Sequence, residues 1–141
     1  MPKSVQVAIG ILTEHRQGAT HVLIARRKDD AVLGGYWELP GGKIEAGESP
    51  EQCLVREFEE ELAIVVQPGE ALAVIEFQYD HAKVRLHPFF CHRIRGEPVN
   101  RHVAEHRWIE ARSLLDYQFP PANTELMRQV HARLTGTSAA S

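Results

Sequence analysis

Gly42-Lys-Ile-Glu-Ala-Gly-Glu48, followed seven residues later by Arg56-Glu57-Phe58-Glu59-Glu60-Glu61, decides how this chain is read. Between the two halves stand Ser49, Pro50 and Gln52: a serine N-cap, a proline at the first helical position and a glutamine placed to close a capping box. The pattern predicts a helix that runs to about Leu62. Leu54, Phe58 and Leu62, spaced by four, make its apolar stripe, and Glu57, Glu60 and Glu61 share another face at i, i+3 and i+4. Carboxylates held this close repel one another unless a cation joins them. Hard oxygen donors suit Mg²⁺ or Mn²⁺, and these ions work mostly on phosphates.

A phosphoanhydride is surrounded by negative oxygens that repel an incoming water, so its cleavage needs cations on those oxygens and a positioned water. One helical turn brings Glu57, Glu60 and Glu61 close enough to converge on a metal cluster. Arg56 beside them can hold a carboxylate through a bidentate pair. Glu48 is placed to orient Arg56 or to support the metal shell. The Pro40-Gly41-Gly42 turn lets main chain approach closely, so that a carbonyl can add a ligand. An isolated run of glutamates is most often a solvated helix face. Here six residue types match at fixed offsets, and a chance match is on the order of one in a million for independent positions at average frequencies.

Outward from this segment, the chain reads as alternating strands and two helices. Residues 5–12 and 21–27 read as strands of a hairpin across a polar turn at 13–20. Residues 28–36 read as a loop, and Trp37-Glu38-Leu39 as a short extended piece stopped by Pro40-Gly41-Gly42. After Pro68-Gly69, residues 72–79 and 84–92 read as a second hairpin, and 107–109 as a brief strand. Ser113 is placed to cap a short turn. Residues 121–134 read as a second helix, with Leu126, Val130 and Leu134 at helical spacing. One domain is expected over residues 1–135, with 136–141 as a frayed tail.

Composition narrows the function classes. The chain has 141 residues, 43% hydrophobic and 25% charged, with a formal net charge of −3. That balance argues against a general electrostatic grip on nucleic-acid polymer and leaves room for a small phosphorylated ligand. Cys53 and Cys91 show no CxxC or zinc spacing and read as reduced core thiols. His81, His87, His92, His102 and His106 show no HxxH or HExxH pattern. Arg26-Arg27-Lys28 is too short for a nucleic-acid patch, and Trp37 serves as well for sheet packing as for stacking on a base. The start, Met-Pro-Lys-Ser-Val-Gln-Val, passes directly into a strand pattern, and no apolar run approaches membrane-spanning length. A cytoplasmic location without membrane contact is the expectation, as a monomer or homodimer.

At these residues the sequence resembles the Nudix hydrolases. Their box reads Gly, five residues, Glu, seven residues, Arg-Glu-apolar-any-Glu-Glu-any-Gly-apolar; Gly42, Glu48, Arg56, Glu57, Phe58, Glu60, Glu61 and Ile64 fit it. Ala63 replaces the second glycine, which implies an ordinary turn or mild strain there and removes no catalytic group. Residues 23–27 and 37–45, Gly96-Glu-Pro98 and Phe119-Pro-Pro-Ala-Asn123 extend the likeness, over nearly all the chain, to the MutT-like branch of the family.

The resemblance implies an α/β fold, an α/β/α sandwich with a mixed β-sheet and the box helix packed beside it. It implies Mg²⁺- or Mn²⁺-dependent hydrolysis of a nucleoside triphosphate, 8-oxo-dGTP first among them, to monophosphate and pyrophosphate. It implies metal on the Gly41 carbonyl, Glu57, Glu60 and Glu61, with the base among these glutamates unassigned. Arg27, Glu38, Leu39, Pro40, Gly41, Phe119 and Asn123 would line the nucleotide site. An amide such as Asn123 offers donor and acceptor, and N7 of 8-oxoguanine carries a hydrogen that guanine lacks. Alone, Asn123 reads as the cap of the last helix; its segment supports the base-reading role.

Departures from that branch concern selectivity. His102 falls where a further glutamate can stand, and Glu105 is its candidate substitute as ligand or base. Ala82 and Val32 fall where the branch has polar side chains that contact substrate. Two other readings stand beside the first: a Nudix pyrophosphohydrolase of CTP, 5-methyl-dCTP or another nucleoside diphosphate derivative, and a Nudix domain that binds nucleotide without hydrolysing it. Intact Glu57, Glu60 and Glu61 argue against the last.

Overall fold

The computed structural model describes residues 3–29 and 34–136. Position 32, at one of the departures above, lies outside them, as do residues 137–141 of the expected tail. The elements, in order, are β1 (Lys3–Arg16), β2 (Ala19–Arg26), β3 (Trp37–Glu38), β4 (Gly41–Lys43), α1 (Pro50–Leu62), β5 (Val65–Ala71), β6 (Ile75–Gln78), β7 (Ala82–Arg95) and β8 (Glu105–Glu110), then 3-10 turns at Ala111–Asp116 and Pro121–Asn123, and α2 (Thr124–Thr135). Among the described residues the strands form one eight-stranded mixed sheet. β1 runs parallel to β7 and antiparallel to β2 and β4.

Alternation along the two central strands builds two cores. Ala8 and Leu12 of β1, with Leu23 and Ala25 of β2, meet Cys53, Leu54, Phe58 and Leu62 of α1. Ile9 and Ile11, with Val22 and Ile24, meet Leu126, Met127 and Val130 of α2. A strand that is apolar on both faces is the signature of a sheet covered on both sides, so the layers are α/β/α as expected. Gly10 lies on the α1 face, and a Cβ there would run into the Phe58 ring and stand 3.0 Å from Leu54 Cδ1. Its missing side chain is what lets α1 lie close on the strand.

The box helix starts as its residues dictate. Ser49 accepts from the Gln52 N–H at 3.1 Å, and the Gln52 side chain accepts from the Ser49 N–H at 2.9 Å. Strand and helix ends shift by a few residues along the chain, and three differences from the sequence reading have a tertiary cause. Residues 13–16 continue β1 and pair with residues 19–22, leaving a tight turn at Gln17 and Gly18, both at positive φ. Polar composition signalled a turn there, yet Glu14 is a strand residue bound to Arg16 and Arg93. Gly41 and Gly42 form a short strand rather than a turn, pairing with Ile9 and Ala8. Pro68-Gly69 lies within β5, at a register shift; β5 is an edge of the sheet, where a proline sacrifices no ladder donor.

Leaving α1, Ala63 takes the left-handed conformation, φ 62° and ψ 30°, and its N–H bonds the Glu59 carbonyl at 3.0 Å. Of the two readings of this alanine the strained one holds, because the Cβ costs about 1–2 kcal/mol in that conformation. Ala63→Gly is expected to stabilise the fold by about 1 kcal/mol, less what glycine adds to unfolded-chain entropy. A raised urea midpoint at unchanged slope is the measurement.

Candidate active site

Arg56 organises the outer side of the site. Its Nε and Nη2 donate to the two Glu48 carboxylate oxygens at 2.7 and 3.0 Å, a bidentate pair. Its Nη1 donates to Glu57 at 2.9 Å and to Glu60 at 3.2 Å, and Nη2 also reaches the Lys43 carbonyl at 3.2 Å. The hydrogen bond from Arg56 holds the Glu48 carboxyl down to about 2, and the same bond raises the Arg56 guanidinium further above its ordinary value. Both groups are therefore charged throughout the physiological range. The Cys53 thiol sits behind this knot, 3.4 and 3.3 Å from the Gly42 and Lys43 carbonyls, with burial pushing it up to about 11.

A cavity of about 350 Å³ opens on the inner side. Its acidic end is made by Glu57 and Glu61 of α1, Glu38 of β3, and Gly41 and Gly42 of β4. Its other end is apolar, with Val7 and Ile9 of β1, Val84 and Leu86 of β7, Tyr79, and Pro120, Ala122 and Asn123 from the turn before α2. Arg27 stands at the acidic end and donates to Glu38 at 3.0 Å. A Cβ on Gly42 would stand 2.5 Å from the Glu57 carboxyl carbon. The glycine at this position is what allows Glu57 to lie against the strand.

Glu61 is the tense residue of the site. Burial first, then the neighbouring Glu38 and Glu57 carboxylates, pushes it up to about 9. Its Oε2 is buried and without a hydrogen-bond partner among the described residues. Glu38 is raised too, by burial, with Arg27 opposing the shift. A buried carboxylate oxygen facing two further carboxylates is a donor set suited to a hard divalent cation, which would satisfy the orphan oxygen and remove the repulsion. The described residues do not present three or more His, Cys, Asp or Glu side chains closed into a ready cage.

The structure does not bring all the expected residues together. Glu57, Glu61, Gly41, Arg27, Glu38, Leu39 and Asn123 line the cavity. Pro40 is buried just behind, its carbonyl accepting from the Gly10 N–H at 2.9 Å. Glu60 lies across Arg56, with its side chain 54% exposed, and borders a separate groove on the outer face of α1. Phe119 packs into the core under α2 while Pro120 takes the wall. Glu105 is bound by Arg26 at 3.0 Å and Arg107 at 3.2 Å, and these bonds hold its carboxyl below the usual range, which suits a structural anion better than a base. His102 is exposed, and its backbone N–H, with that of Arg101, bonds the Glu61 carbonyl at the end of α1.

Asn123 corrects one reading. It occupies the N-cap position of α2 but makes no side-chain capping bond, and it is 7% exposed. Lys43, Tyr79 and the apolar wall escaped the sequence reading. Alternation along β1 and β7 could have shown the wall; only the fold brings Tyr79 to it.

Known proteins share this family pattern and fold. The NUDIX domain family matches residues 10–129. The 8-oxo-dGTP diphosphatase of Haemophilus influenzae is 35% identical over 128 residues, 91% of this chain and 92% of that protein. The CTP pyrophosphohydrolase of Escherichia coli is 32% identical over 128 residues, 89% of this chain and 90% of that one. A solved MutT, from work on the Aliivibrio salmonicida and Vibrio cholerae proteins, superposes with a TM-score of 0.71 at 36% identity, covering 93% of this chain and 99% of that one. With a sandwich of this topology and the box on its first helix, the chain belongs to the Nudix family and is a hydrolase of it, a class that uses divalent metal ions. No helix among the described residues is long and apolar enough to cross a membrane.

The Glu61 shift gives a pH test. Between 4.5 and about 9 the folded, metal-free protein holds a proton that the unfolded chain has released. Such a group stabilises the fold less and less as pH rises through that window. Glu61→Gln removes the slope, so the wild-type protein should lose stability relative to the variant from pH 5 to pH 9. Denaturant titrations of both proteins in chelator across that range measure it.

Proposed function

We propose that this chain hydrolyses 8-oxo-dGTP to 8-oxo-dGMP and pyrophosphate, clearing an oxidised purine from the DNA precursor pool of the cytoplasm. The observation that carries the reading is the two-ended cavity. Carboxylates crowd one end, and at the other a buried amide, Asn123, is spared from helix capping. The relatives named as 8-oxo-dGTP diphosphatases, matched over nine-tenths of the chain, support the substrate.

In this reading Glu57, Glu61 and the Gly41 carbonyl would hold Mg²⁺, or Mn²⁺ in its place; Glu60, which lies on the far side of Arg56, would join them only on leaving that guanidinium. Bound there, the ion would supply charge neutralisation on the phosphate oxygens and a lowered pKa for the attacking water. The remaining work is done by the chain itself. Arg56 keeps Glu57 and Glu48 in place, so the carboxylates do not have to be ordered at each turnover. Glu57 and Glu61 are the groups placed to take the proton of the attacking water. Arg27 neutralises Glu38 and lines the same cavity, a cation available to the phosphates of the ligand. Residues 1–135 are taken in this reading as one domain.

Asn123 supplies the choice of base. Its amide oxygen accepts from the N7–H of 8-oxoguanine, and that acceptor meets a lone pair on N7 of guanine. A mismatched buried polar pair costs about 1–3 kcal/mol, which is a factor of about 5 to 150 in kcat/KM. The second reading, a CTP-type pyrimidine triphosphate, draws on the Escherichia coli relative and on Ala82, the small side chain that opens β7 beside Tyr79.

A Mg²⁺-dependent panel of 8-oxo-dGTP, dGTP, CTP, 5-methyl-dCTP and ADP-ribose, ranked by kcat/KM, tests the assignment. The expected order begins with 8-oxo-dGTP; a cytosine nucleotide at the top would replace the substrate, and no turnover at all would favour a binding domain. Glu57→Gln is expected to lower kcat by at least about 100-fold without loss of fold. Asn123→Ala is expected to cost about tenfold more on 8-oxo-dGTP than on dGTP. Equal losses on the two nucleotides would make the residue structural.

A further inference from the structure

The apolar end of the cavity holds a hydroxyl that the chemistry above does not use. Tyr79 follows β6 and opens the turn into β7, its N–H bonded to the Ala82 carbonyl at 2.8 Å. Across the cavity its hydroxyl oxygen accepts from the Ala122 N–H at 3.1 Å. Ala122 immediately precedes Asn123, and the two are 5% and 7% exposed. The Asn123 N–H bonds the Pro120 carbonyl at 2.9 Å, which closes the turn on itself but does not tie it to the sheet. Among the described residues, the bond that ties the Pro121–Asn123 turn to the sheet is the one to Tyr79.

We propose that the Tyr79 hydroxyl is a specificity-positioning group: it locks the turn that carries Asn123, so that the amide presents a fixed donor–acceptor order to the base. The inference rests on the substrate reading above. An amide whose backbone can shift or whose plane can turn offers either its oxygen or its nitrogen to N7, and then guanine and 8-oxoguanine are read alike. Holding the turn removes that freedom before the ligand arrives. The ring itself is secured by other contacts, edge-on to Phe77 at 4.7 Å and stacked with His81 at 6.0 Å. Phenylalanine at this position keeps those ring contacts and removes only the oxygen.

The test is Tyr79→Phe, with kcat and KM for 8-oxo-dGTP and dGTP, in the wild-type and Asn123→Ala backgrounds, at a temperature where thermal unfolding shows all four proteins folded. The ratio of kcat/KM for the two nucleotides is expected to fall about tenfold, through KM for 8-oxo-dGTP, with kcat held within about twofold. In the Asn123→Ala background the same substitution should move the ratio by less than about twofold, because the amide it positions is gone. An unchanged ratio, an equal loss on both nucleotides, or a full loss in the absence of Asn123 would overturn the proposal. A wild-type protein that prefers another nucleotide overturns the substrate reading instead. Tyr79 then stands or falls on whether Tyr79→Phe selectively weakens that nucleotide against its nearest base analogue.

Discussion

Arg56 is the charge on which the site depends. Without it, Glu48, Glu57 and Glu60 would stand as like charges along one helix, and the least costly answer would be to turn them into solvent. With it, each is bonded to one guanidinium, and the same group reaches the Lys43 carbonyl, tying α1 to the end of β4. The fork geometry matters as much as the charge. Two nitrogens face Glu48 while the third serves Glu57 and Glu60, a division that a lysine ammonium on a flexible stem would not fix. Glu57 is thereby held against Gly42 on the cavity side, and Glu60 is kept on the other.

The fold accepts tension at Glu61 because the surrounding structure is closely determined. Gly10 draws α1 onto β1, and the Phe58 ring that occupies the vacated space is fully buried. Phe58 lies between Glu57 and Glu61 on the helix, so seating that ring fixes where the two carboxylates project. The end of the helix is fixed as well: backbone N–H groups of Val99, Arg101 and His102 bond the last carbonyls of α1. The loop in which His102 replaces the branch's glutamate thus contributes its main chain to the end of the helix. A carboxyl forced into burial beside two others is destabilising for the empty protein, and that is the arrangement a cation relieves.

The sequence displayed the box, its N-cap, its apolar stripe and the two hairpins because each is a local pattern with a local cause. It was misleading where tertiary pairing overrode composition. Gly41-Gly42 reads as a turn until β1 supplies a partner, and Pro68-Gly69 reads as a break until β5 proves to be an edge strand. Ala63 could be assigned only as relaxed or strained, since the choice lies in one φ angle. The spacing i, i+3, i+4 correctly grouped three glutamates on a helix, yet it could not show that Arg56 divides Glu60 from Glu57. That division is made by the direction of one side chain.

The chemistry and its selectivity are encoded differently. The groups at the acidic end of the cavity lie, Arg27 apart, within one continuous segment, from Glu38 to Glu61, and two short strands, a tight loop and one helix suffice to place them. The rest of the lining comes from β1, from β7, from the β6–β7 turn and from the approach to α2, and these meet only because β1 and β7 pair in parallel and α2 returns over the opposite face. A motif can therefore announce the reaction, but the substrate is a property of the assembled sheet. For the same reason, a small change at a wall residue such as Val84 or Ala122 alters the shape of the cavity without touching the carboxylates at its acidic end.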